Sequence, residues 1–180
     1  MTSPQFDEVV LTHLDAAYNL AAWLLRDRQA AEDVVQDAML RALTYFHSYQ
    51  GRNARAWVLQ IVRNAAFEHL RFVKGANTVS IDSAPNTMPD DDAAAAIHAQ
   101  LIDPNDGPEI ALLKARSREQ IASALKKLPV ELRECIVLRE FEELSYKEIA
   151  QVTDSPIGTI MSRLWRARQL LLEIFLAEGY

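Results

Sequence analysis

The sequence predicts an all-α protein built from two small helical domains joined by a flexible acidic linker. Three observations predict it. Apolar residues recur at helical spacing on both sides of a central stretch. That stretch, Gly75 to Gly107, is instead populated by Pro, Asn, Ser and acidic residues. Residues that favour helix starts stand at the head of the periodic runs. With 180 residues and 49% hydrophobic content the chain has material for one ordinary core or two small ones.

Ser3 followed by Pro4 is a cap and first-turn signal. Phe6, Val9, Val10, Leu14, Ala17, Leu20 and Leu24 then predict a first helix running to about Leu25. Asp27 is placed to cap a second helix through Val34, Val35, Ala38, Met39, Ala42 and Tyr45. Asn53 is placed to cap a third, through Trp57, Ile61, Val62, Ala65 and Leu70. These three helices form a first unit over residues 3–74. The linker, 75–107, contains Pro85, Pro89, Pro104 and the triplet Asp90, Asp91, Asp92, with Ala93 to Ile102 as a short helical candidate.

Periodicity restarts at Pro108 through Ile110, Leu113, Ile121, Leu125 and Leu128. Pro129 begins another helix with Val130, Leu132, Ile136, Val137 and Phe141. Ser145-Tyr146-Lys147-Glu148 is a capping box that opens a short helix ending near Val152. A turn at Thr153-Asp154-Ser155 follows, and Pro156 starts a last helix through Ile160, Leu164, Leu170, Leu171 and Ile174. Residues 108–178 therefore form a second unit ending in a helix-turn-helix.

Charge is segregated along the chain. The formal net charge of −6 opposes nucleic-acid binding when taken alone. From Asp82 to Glu109, however, every charged residue is acidic, whereas Gly51 to Lys74 carries Arg52, Arg55, Arg63, Arg71 and Lys74 against only Glu68. The lone Cys135 has no partner for an internal disulfide or a Cys-rich zinc site and is expected in the core. Long uncharged apolar runs and a leader are absent from the sequence, so no membrane insertion and a cytoplasmic location are expected. No Gly-rich phosphate loop or HExxH is present, and His13, His47, His69 and His98 are scattered. No enzyme, no catalytic or metal-binding residues and no cofactor are expected.

Three constellations remain. In the last helix Ile157, Ile160 and Leu164 are expected to face the core, leaving Gly158, Thr159, Met161, Ser162, Trp165 and Arg166 outward, where such side chains reach base edges, phosphates or thymine methyls. The bland alternative is an ordinary amphipathic helix with a cationic face. In the first unit, Tyr45, Phe46, Tyr49 and Trp57 surround Gln50-Gly51-Arg52-Asn53, and Arg55, Gln60, Arg63 and Asn64 continue along the third helix. Aromatics interleaved with Arg, Asn and Gln suit unstacked bases, although aromatics at this spacing also serve as core, as Trp57 does at least in part. Asp33, Gln36 and Asp37 share adjoining turns with Glu32, which by itself is a solvated acidic face.

The stretches AEDVVQDAMLRA, RAWVLQIVRNAAFEHLR and LPVELRECIVLREFEELSYKEIAQVTDSPIGTIMSRLWRARQLL, in this order around a variable linker, resemble the extracytoplasmic-function sigma factors of bacterial RNA polymerase. The resemblance spans nearly the whole chain. It implies a sigma region 2-like unit, a sigma region 4-like unit, and a role in recruiting core RNA polymerase to promoters and opening the DNA. It further implies that Asp33, Gln36 and Asp37 grip the polymerase. Arg52, Asn53, Arg55, Trp57, Gln60, Arg63 and Asn64 then read and melt the −10 element. Pro156, Gly158, Thr159, Met161, Ser162, Arg163, Trp165 and Arg166 read the −35 element, with Met161 and Trp165 at variable, specificity-bearing positions. Core RNA polymerase and promoter DNA, duplex and melted, are the implied partners, with an anti-sigma factor as a further one. The acidic linker is expected to compete with nascent RNA near the polymerase active site, and with the net charge it is expected to hold the free protein off DNA. The other classes are a free-standing repressor, which leaves the first unit unexplained, and a mimic that titrates an inhibitor, which has no need of the aromatic and Arg-rich loop.

Overall fold

The computed structural model describes residues 4–77 and 108–179; the short helix expected at 93–102 and most of the linker lie outside them. Every regular element among the described residues is helical. Helix α1 spans Pro4–Val9 and is followed by a 3₁₀ turn, Leu11–His13, before α2, Leu14–Leu25. The single first helix expected from periodicity is thus broken at Val10. The local cause is a competing side chain: Thr12 Oγ1 donates to the Glu8 carbonyl at 2.7 Å, a back-bond that bends helices. The break lets Phe6 and Val10 bury while Leu11 and Leu14 emerge.

Helix α2 stops where Arg26 enters the left-handed region, its N–H on Ala22 O. Helix α3, Arg28–Tyr45, begins at Asp27, whose carboxylate accepts the Ala30 N–H at 2.8 Å. Helix α4, Ala54–Asn77, begins at Asn53, whose side-chain oxygen accepts the Ala56 N–H, and it runs three residues into the stretch assigned to the linker. Leu20, Leu24 and Leu59 are fully buried. Each contributes on the order of 1.5–3 kcal/mol through removal from water.

In the second unit α5 spans Pro108–Lys127 and α6 spans Val130–Ile136. The latter passes into one π-helical turn, Val137–Phe141, where an expected continuous helix widens. Helix α7, Tyr146–Thr153, opens on Ser145, and both halves of the expected capping box form. It closes in a Schellman arrangement, Ser155 N–H to Ala150 O and Asp154 N–H to Gln151 O, with Asp154 left-handed. Helix α8, Ile157–Glu178, completes the helix-turn-helix.

The two units pack on one another, α4 against α7 and α2 against α6, with the Trp23 and Phe141 ring centroids 5.7 Å apart. One buried guanidinium serves both units. Arg133 donates to the carbonyls of Trp23 and Leu24 at the end of α2 and of Leu128 beyond α5. Burial lowers its pKa to about 10. Cys135 is buried as expected, and the same desolvation raises its thiol to about 12.

Candidate functional site

Three surfaces hold the residues singled out from the sequence. On α3, Asp33, Gln36 and Asp37 are exposed, with Asp33 accepting from Gln29 at 3.2 Å and Asp37 paired to Arg41 at 2.8 Å. Beside them runs an apolar groove lined by Phe6, Leu11, Leu14, Val35, Met39, Leu40 and Leu43. Leu40 is 66% exposed, which an acidic face alone would not require. Helical periodicity does not reveal this groove, because the break at Val10 creates half of it.

The second surface is the loop before α4. Gly51 adopts φ +71°, a conformation that any side chain would strain. Tyr49 packs on Trp57 with centroids 5.1 Å apart, and Phe46 bridges Tyr49, Trp57 and Phe6. Trp57 is half-buried and so shares core and surface, while Tyr45 is exposed. Arg52 and Asn64 face solvent and Gln60 is half-buried. Asn53, Arg55 and Arg63 turn instead toward the second unit: Asn53 Nδ2 donates to Glu148 Oε1 at 2.7 Å, Arg55 pairs with Glu142, and Arg63 clasps Glu134. Arg63 also lies over the Phe67 ring, 4.1 Å from its centroid.

The third surface is the first half of α8. Met161 is 54% and Trp165 63% exposed, alongside exposed Pro156, Gly158, Ser162 and Arg166, with Thr159 half-buried. Ile160 and Leu164 are buried as expected, but Ile157, expected in the core, is 45% exposed. It occupies the first position of α8, directly after the N-cap Pro156. Arg163 is half-buried and lies 3.5 Å from Glu134. Glu134 and Glu142 were not singled out in the sequence, and Glu148 only as half of a capping box. For the first two the available signal was acidic residues set inside the apolar register of RECIVLREFEE. Glu134 is fully buried, and desolvation pushes its carboxyl upward against the pull of Arg63 and Arg163. Among the described residues no group of three His, Cys, Asp or Glu is placed to hold a metal, and no helix is long and apolar enough to cross a membrane.

Comparison with known proteins places these surfaces in a family. Residues 9–74 match Sigma-70 region 2 and residues 118–171 match Sigma-70, region 4. The ECF RNA polymerase sigma-E factor of Escherichia coli K12 is 32% identical over 140 residues, 77% of this chain and 70% of the relative. The chain belongs to the extracytoplasmic-function sigma factors. The RNA polymerase sigma-H factor of Pseudomonas aeruginosa is also 32% identical to this sigma factor, over 167 residues covering 92% of this chain and 83% of the relative. Among solved structures, the sigma factor RpoE in complex with the anti-sigma factor NepR from Bartonella quintana superposes with a TM-score of 0.68 at 27% identity, covering 96% of this chain and 98% of that one. The acidic face and the aromatic loop fall within the region 2 match, and the outward face of α8 falls within region 4.

Proposed function

We propose that this sigma factor divides its work between two domains, residues 3–74 as region 2 and 108–178 as region 4, with 75–107 as the acidic linker. The chain binds core RNA polymerase, directs it to specific promoters and promotes DNA opening. Asp33, Gln36 and Asp37, with the neighbouring groove, grip the polymerase. Arg52, Asn53, Arg55, Trp57, Gln60, Arg63 and Asn64 engage the −10 element, where Trp57 offers a stacking face and the cations meet phosphate. Pro156, Gly158, Thr159, Met161, Ser162, Arg163, Trp165 and Arg166 read the −35 element in the major groove.

The observation that carries this reading is the outward pair Met161 and Trp165 beside Arg166, on the first half of the second helix of a helix-turn-helix. Two large apolar side chains held in water beside a cation suit contact with thymine methyls and an adjoining phosphate. The factor acts by binding rather than catalysis, needs no cofactor, works in the cytoplasm and answers to an anti-sigma factor. Joining two weak modules on one polymerase raises their effective affinity through local concentration.

The test is transcription in vitro from a library of promoter fragments, with core polymerase alone and with core plus this chain. Initiation dependent on the chain, at sites sharing two spaced elements, is expected. Core binding without promoter selection would overturn the promoter-reading assignment.

A further inference from the structure

Three residues that the proposed reading aims at DNA already hold carboxylates of the second domain. Asn53 donates to Glu148 at 2.7 Å, Arg55 pairs with Glu142, and Arg63 donates through Nε and Nη2 to the two oxygens of Glu134 at 3.0 and 3.2 Å. A guanidinium fork donates to carboxylate and phosphate oxygens alike, so these contacts occupy donors that a nucleic-acid backbone would use.

The two arginine contacts are not stray surface bridges. Glu134 is fully buried and Glu142 is 2% exposed, and a buried carboxylate stripped of its cation is strongly destabilising. Glu142 is also fixed by Asn19, whose Nδ2 donates to it at 2.6 Å, and it follows directly on the π-helical turn. Glu134 lies 3.5 Å from Arg163 as well, so one carboxylate touches both candidate reading surfaces.

We propose that Glu134, Glu142 and Glu148 stand in for phosphate in the free protein, forming an autoinhibitory latch that withholds Asn53, Arg55 and Arg63 from nucleic acid until the two domains part. The latch rests on the reading that these three residues meet DNA. Opening returns the carboxylates to water and frees the cations together. The affinity of the free chain for DNA is therefore scaled down by the fraction that is open. This places the restraint in the packing of the two domains, in addition to any repulsion from the linker.

The test compares the wild-type chain, an E142Q/E148Q chain and a charge-matched control, E131Q/E143Q, whose exposed glutamates hold none of the three residues. Small-angle X-ray scattering reads the radius of gyration. Fluorescence anisotropy reads affinity for a fluorescein-labelled single strand of random sequence, about 12 nucleotides long, within the span that such sites cover. The latch chain is expected to expand and to bind the probe about tenfold more tightly than the control. Affinity and size equal to the control would overturn the latch; expansion without tighter binding would overturn it through the DNA-facing assignment instead. Should circular dichroism show that the double variant loses helix, E142Q alone, isosteric and still able to accept from Asn19, is read by the same two criteria with about a threefold gain expected.

Discussion

At the scale of single residues, Glu148 joins two tasks. Its carboxylate accepts the Ser145 N–H at 2.7 Å to complete the capping box and accepts from Asn53 across the domain interface. The Ser145 backbone bond first, then the Ser145 hydroxyl and Asn53, hold its pKa below the ordinary glutamate value of 4.5. A carboxyl depressed on folding gives stability that is complete above that value and is lost as pH falls through the folded pKa. The melting temperature of the wild-type chain is therefore expected to fall on acidification below about 4.5, and E148Q is expected to flatten that limb; thermal melts followed by circular dichroism across the acid range check this. The caps at Asp27, Asn53 and Ser145 were legible in the sequence because each is a bond within three residues. The partners of Asn53, Arg55 and Arg63 were not, since they lie 95, 87 and 71 residues away and no local period reports such a pairing.

At the scale of elements, α8 carries two kinds of surface. Its first half presents Met161, Trp165 and Arg166, while its second half leaves Leu172 53% and Leu176 71% exposed. Arg166→Ala is expected to weaken promoter binding by the polymerase complex by about 1–3 kcal/mol if Arg166 reads a base, and to relax preference at one position. Binding measured against a set of single-base promoter variants separates that outcome from loss of a phosphate contact, which weakens all sequences alike and lowers the salt slope by about one. The identity and order of the helices were legible from periodicity. The break at Val10 and the π-helical turn at Val137 were not, because each keeps the apolar residues buried while changing the path of the backbone. Ile157 shows the same limit from the other side: its period matched the core, but its place in the first turn put it outside.

At the scale of the whole molecule, the domains are pinned by Arg133, which ends α2 of one and the α5 segment of the other. Arg133→Met keeps the bulk but leaves these carbonyls without their donor. It is expected to cost about 3 kcal/mol, read as a fall in melting temperature of about 6–12 °C for a chain of this size. An unchanged melting temperature would show that water replaces the guanidinium at no cost. The two-domain plan and the acidic connection were legible from composition, whereas the closed packing depends on contacts between residues far apart in the chain.

Those long separations also have a consequence in time. The ribosome makes Arg63 seventy-one residues before Glu134. At about 5–20 residues per second that interval is about 4–14 s, during which the nascent first domain carries its cations without their partners. Under the proposed latch, the newborn chain leaves Asn53, Arg55 and Arg63 open before it is finished, and synthesis of the second half is what closes them.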